Sequence, residues 1–90
     1  MPTVTQDLAP IVAKAIEIVS GRSGLAAESL TAETLINDGM TDVDEFEFAA
    51  ATVDMEEVYD VILPDEALHQ IRTIGDLAQS IANEMAANNP

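Results

Sequence analysis

The chain contains no cysteine, which excludes a disulfide framework and thiolate zinc sites. Aromatic residues are almost as scarce. Phe46, Phe48 and Tyr59 make up 3% of the 90 residues, so with 48% apolar residues the core has to be aliphatic. Basic residues are few: Lys14, Arg22 and Arg72 stand against 17 Asp and Glu, giving a net charge of −14. Between residues 23 and 71 there is no Lys or Arg at all. Such a surface repels phosphate backbones and anionic lipid, so neither nucleic acid nor a membrane is an expected partner. Its natural complement is a basic protein surface, attracted at a distance and sensitive to salt. No apolar run approaches the ~20 residues of a membrane span. The first residues lack the basic and long apolar regions of a secretion signal, so a cytoplasmic location is expected. Helix packing around one modest core is left to hold the chain together.

Residues 1–90 read as a single domain, with a lead at 1–6 and a frayed tail at 86–90. Thr3 with Gln6 has capping-box spacing, and Thr5 is a competing cap. Leu8, Ile11, Val12, Ala15, Ile16 and Val19 trace a helical stripe, and Pro10 falls in the first turns, where its missing amide costs little. Ser20-Gly21 is expected to stop this helix, with Gly21 as a left-handed C-terminal cap. Residues 24–38 show no sustained period. Leu25, Leu30, Leu35 and Ile36 are apolar anchors in a polar connection, with a single helical turn expected around 31–35.

The turn Asn37-Asp38-Gly39-Met40 then leads into an acidic helix that is expected to reach residues 57–59. Thr41 or Asp42 can cap it, and with Asp42 as cap Glu45 sits where a capping-box partner would. Asp44 and Glu45 add negative charge at the positive end of the helix dipole. The spacing of Val43, Phe46, Ala50 and Val53 predicts a buried face that changes phase to Met55, Val58, Tyr59 and Ile62, with a bend or an added turn near 52–54 to reconcile the halves. Val61-Ile62-Leu63-Pro64 reads as a connector rather than a strand because of Pro64. A short helix from Pro64-Asp65-Glu66 to about Gln70 follows. The last helix is capped by Thr73 with Asp76 and buries Ile74, Leu77, Ala78 and Ile81, extended by Ala82 or Met85. The fold class is all-α: a small four-helix bundle of three longer helices, one short third helix and a long first loop.

Few residues suit catalysis. His69 is the single histidine, and Ser20, Ser23, Ser29 and Ser80 sit at helix ends or in loops, so His69 is read as an ordinary side chain and no catalytic residue is assigned. Gly39 and Glu45 have the spacing of positions 6 and 12 of an EF-hand loop, yet that register puts apolar Ile36 where a carboxylate should bind, and no metal site is expected. The ten carboxylates between residues 42 and 66 fit a solvated face, the usual meaning of a charge run. They also fit a docking surface, because nothing nearby relieves their mutual repulsion.

Two segments resemble the acyl carrier protein family. Leu63-Pro64-Asp65-Glu66-Ala67-Leu68-His69-Gln70-Ile71-Arg72-Thr73-Ile74-Gly75-Asp76-Leu77 is similar, without a gap, to the family's passage from the end of helix two into helix four. Gly39-Met40-Thr41-Asp42-Val43-Asp44-Glu45-Phe46-Glu47 resembles the segment around the serine that carries phosphopantetheine. The resemblance implies a bundle of the acyl-carrier-protein type, a monomer that is not an enzyme. It would carry acyl or aminoacyl groups in fatty acid or secondary metabolite biosynthesis. It would dock to basic surfaces of a ligase, synthase or transferase through Val43, Asp44, Glu45, Phe46 and Glu47, with Met40 beside the arm's exit. An acyl cargo would slip between helices near Ala49, Ala50 and Ala51.

The serine itself is missing. On this alignment its position is Asp42, and Thr41 precedes it. Asp42 lies about three residues further from Pro64 than the family pattern implies; alignment back from Pro64 without a gap puts Glu45 there instead. Asp42 is preferred, because Gly39, Val43, Asp44, Phe46 and Glu47 then share the family register. A carboxylate cannot hold the arm as a stable phosphodiester, so no phosphopantetheine is expected on this chain. Asp42 is then either an engineered replacement of serine or the natural residue of a cargo-free acidic interaction or regulatory module.

Overall fold

A computed structural model describes residues 8–36 and 43–88, in which four helices form one bundle. Helix α1, Leu8–Ser23, buries Ile11, Ala15 and Val19 at four-residue spacing, with Leu8, Val12, Ile16 and Ile18 packed at the margin. The expected caps at Thr3 and Thr5 lie outside the described residues. The helix does not stop at Ser20-Gly21. Gly21 is an ordinary helical residue, and the left-handed cap is Gly24, at φ 81°, whose amide donates to the Ser20 carbonyl at 2.9 Å. Serine hydroxyls secure this end: Ser23 Oγ donates to the Val19 carbonyl and Ser20 Oγ to the Leu25 carbonyl.

The first loop is pinned by its own bonds. A 3-10 turn at Ala27–Ser29 precedes the expected turn near 31–35, which is a hydrogen-bonded turn closed by Thr34 N–H to the Thr31 carbonyl, while Thr34 Oγ1 accepts from the Thr31 amide. Leu30 and Ile36 are buried anchors, but Leu35 is 44% exposed. The reason is an isolated antiparallel bridge between Leu35 and Thr73. Extended backbone sends neighbouring side chains to opposite sides, so Ile36 points in and Leu35 out. The Ile36 amide donates to the Arg72 carbonyl (2.7 Å), and the Ile74 amide to the Thr34 carbonyl (3.0 Å).

Helix α2, Glu45–Tyr59, departs most from expectation. Its cap is Asp44, whose Oδ1 accepts from the Glu47 amide (2.8 Å) while Glu47 Oε1 accepts from the Asp44 amide (3.1 Å); the capping box is therefore Asp44 with Glu47, not Asp42 with Glu45. The buried side chains are Phe48, Ala51, Thr52 and Met55, joined by half-buried Tyr59. Those five positions form one continuous helical stripe, so no bend near 52–54 is needed. Of the expected face, Val43 is buried just before the helix, but Phe46 and Val53 are exposed. Asp60 ends the helix in the left-handed conformation, and Leu63 N–H donates to Glu56 Oε2 at 2.7 Å, fastening the connector back to α2.

Helix α3, Asp65–Gln70, begins after Pro64 as expected, buries no residue fully and is held by flanking Leu63 and Ile71, both buried. Helix α4, Ile74–Asn88, starts with a reciprocal box: Thr73 Oγ1 accepts from the Asp76 amide (3.0 Å), and Asp76 Oδ2 from the Thr73 (3.2 Å) and Arg72 (3.0 Å) amides. It continues to Asn88, three residues into the stretch that the sequence suggests is a frayed tail. Ile74, Leu77, Ala78, Ile81 and Ala82 face the core, and Met85 packs at its edge. Helix α1 packs on both α2 and α4, more extensively than those two pack on each other. The core is aliphatic, as composition requires: its fully buried larger side chains are Val19, Ile36, Met55, Ile71, Ile74, Leu77 and Ile81.

Candidate functional site, the start and outer face of helix α2

Burying Phe48, Ala51, Thr52 and Met55 fixes what α2 shows to solvent. At about 100° per residue, Phe46, Ala50, Val53 and Glu57 fall on the opposite side. Phe46 is 79% exposed and Val53 49%. Val58 (51%) and, just beyond the helix, Ile62 (80%) extend the exposed apolar set. The helix thus turns large apolar side chains outward while two of its five core-facing residues are Ala51 and Thr52. This arises because apolar residues occupy nearly the whole circumference of α2, and the bundle can cover one side only.

The carboxylates around that face divide by what they touch. Asp44 and Glu47 are engaged in the cap. Asp54 accepts a two-pronged contact from Arg22, Nε to Oδ2 and Nη2 to Oδ1, both 2.9 Å, which ties α1 to α2. Glu56 holds the Leu63 amide. Glu45, Glu57 and Asp60 are exposed, and their side chains make no hydrogen bond or ion pair among the described residues. Lys14, the other cation of α1, is held by Glu17 at 2.7 Å, and that contact raises its pKa. The outer face of α2 therefore sets exposed apolar side chains among uncompensated negative charge.

Several expected site residues find their places here. Asp44, Glu45 and Phe46 are exposed and adjacent, and Glu47 is half-buried. Val43 is 6% exposed and belongs to the core, which removes it from any surface. Met40, Thr41 and Asp42 lie outside the described residues. Of the alanines expected near a cargo, Ala51 is buried, Ala50 is half-buried and Ala49 is exposed, so only Ala51 faces the interior fully. Val53, Val58 and Ile62 were assigned to the buried side; their exposure was legible only by choosing the uninterrupted stripe through Phe48 and Met55.

Among residues 43–48 there is no hydroxyl. The nearest one along the helix, Thr52 Oγ1, is buried and donates to the Phe48 carbonyl at 2.9 Å. His69 is exposed on α3. Ile36, the EF-hand misfit, is 1% exposed in the core, and among the described residues no group of three acidic or histidine side chains is placed to hold a metal ion. No helix among them is long and apolar enough to cross a membrane.

No family model matches the chain. Individual proteins do. An acyl carrier protein of Arthrobacter sp. (strain FB24) is 33% identical over 76 residues, covering 84% of this chain and 93% of that protein. One from Syntrophobacter fumaroxidans (strain DSM 10017 / MPOB) is 30% identical over 81 residues, 90% of this chain and 99% of that protein. The meromycolate extension acyl carrier protein of Mycobacterium leprae (strain TN) is 32% identical over 87 residues, 97% of this chain and 72% of that protein. With helices of this order and a match over nearly its whole length, the chain belongs to the acyl carrier protein family, whose members are carriers rather than enzymes.

Proposed function

We propose that this protein is a carrier-type docking module that presents the outer face of α2 to basic surfaces of biosynthetic ligases, synthases or transferases, as a monomer in the cytoplasm. The observation that carries this reading is the exposed Phe46, Val53 and Ile62 beside the uncompensated carboxylates Glu45, Glu57 and Asp60. Charge draws the partners together and sets orientation, while an aromatic anchor at the centre supplies much of the affinity.

Family membership implies phosphopantetheine in general. The residues described at the start of α2 do not fit it, since attachment needs a hydroxyl and residues 43–48 offer carboxylates and apolar groups. Asp42, the position the resemblance indicates, is likewise a carboxylate. A carboxyl oxygen bonded to phosphorus is a mixed anhydride, which water cleaves, whereas a serine phosphodiester persists. The hydroxyl-free helix start is the observation that favours the second reading, an interaction module without cargo.

Titration of the chain into a purified phosphopantetheinyl transferase, followed by calorimetry at low salt, tests the docking face. Phe46→Glu is expected to weaken binding by about tenfold or more, in line with loss of an interface anchor. Binding that is indifferent to Phe46→Glu places the contact elsewhere.

A further inference from the structure

We infer that Glu45, not Asp42, stands in the place of the arm-bearing serine, and that the chain competes with loadable carriers for the basic docking surface of a phosphopantetheinyl transferase. This rests on the docking reading above. The preference for Asp42 required the extra spacing before Pro64 to be absorbed inside or after the helix. Neither α2 nor the connector after it shows a break or bulge that would take up three residues. From Glu45 to Tyr59 the helix is regular, its buried stripe is unbroken, and a left-handed Asp60 with the short connector fastened by Glu56 leads directly to Pro64. The offset of three between positions 42 and 45 then falls before the helix, whose first residue is Glu45. Alignment back from Pro64 without a gap reaches Glu45, the first helical residue, immediately after the Asp44 cap.

The chemistry at Glu45 suits docking without loading. Its side chain is exposed and takes no part in the cap, which Asp44 and Glu47 complete by themselves. The helix start is thus fully formed without any attached group. A fixed negative charge stands where a loaded carrier would present a phosphodiester, so a basic surface that accommodates the one has the charge to accommodate the other. Loading of a serine forms a bond from its Oγ to phosphorus of coenzyme A, expels adenosine bisphosphate from that phosphorus, and passes the hydroxyl proton to the enzyme. Glu45 has no such proton-bearing nucleophile to offer, and the complex would dissociate unchanged.

The experiment uses the full chain, the Arthrobacter acyl carrier protein as substrate, coenzyme A and a bacterial phosphopantetheinyl transferase. The unmodified chain is expected to raise the apparent KM for the substrate severalfold while leaving kcat unchanged. By intact mass, Glu45→Ser is expected to gain one phosphopantetheine group and Asp42→Ser to gain none, with circular dichroism checking that both variants are folded. Loading of Asp42→Ser but not Glu45→Ser overturns the assignment of Glu45 and leaves the docking reading standing. Loading of Glu45→Ser with no inhibition by the parent chain overturns the competition. Absence of inhibition and of loading in both folded variants overturns the inference, and binding that ignores Phe46→Glu in calorimetry then removes the docking reading as well.

Discussion

Gly24 and Gly21 sit three residues apart at the end of α1 and should respond to alanine with opposite signs. Gly24 holds φ 81°, a left-handed conformation that costs an L-residue roughly 1–2 kcal/mol. Gly21 is inside the helix with open space where a Cβ would go, so alanine there should stabilise by about 0.5–1 kcal/mol. Urea denaturation of the two variants reads both shifts, and two shifts of the same sign would mean the helix ends elsewhere. The sequence shows a glycine on either side of Arg22-Ser23, and glycine content alone does not choose between them. The choice is made by Ser20 and Ser23, whose hydroxyls bond to Leu25 and Val19 and so draw the helix one turn further. Asp44 poses a parallel case. Asp44→Ala should cost about 1 kcal/mol by removing the cap that Asp44 Oδ1 provides to the Glu47 amide.

Among the helices, the buried faces of α1 and α4 are written plainly in the sequence, because polar and small residues fill most of their other sides. In α2 the stripe through Phe46 and Val53 competes with the one through Phe48 and Met55, and Ala49, Ala50 and Ala51 satisfy either. What decides is the partner surface. α1 and α4 offer long aliphatic side chains, and against them the bundle sets Phe48 and Met55. The two phenylalanines should therefore behave as opposites: Phe48→Ala is expected to destabilise by about 3 kcal/mol, while Phe46→Ala should shift stability by less than about 0.5 kcal/mol and act on binding. Thermal or urea unfolding of both variants checks this; equal losses would deny α2 its observed orientation. The Leu35–Thr73 bridge had no local signal at all, since it joins backbone far apart in the chain and depends on the bundle to bring the two stretches together.

For the molecule as a whole, a charge of −14 sets two salt effects of opposite direction. Repulsion among the carboxylates works against the compact state, and screening relieves it, so Tm should rise between about 10 mM and 0.5 M NaCl as the Debye length contracts from roughly 30 Å to a few Å. Over the same range, association with a basic enzyme should weaken, chiefly by slower encounter. A Tm that falls with added salt would point instead to ion pairs such as Lys14–Glu17 and Arg22–Asp54 as dominant contributors.

The approach of Gly75 to Ala32 joins the first loop to the start of α4. The Gly75 amide donates to the Ala32 carbonyl at 2.7 Å, and a Cβ on residue 75 would come within 3.0 Å of that same oxygen. The opening of α4 and the first loop are thus held by a close contact that a side chain at position 75 would crowd, beside the bonds of Ile36 to Arg72 and Ile74 to Thr34. Proteolytic nicking near Ala32 should accelerate in Gly75→Ala even though the cut sites and the mutated residue lie on different stretches of chain, making this glycine a remote guard of residues 24–36.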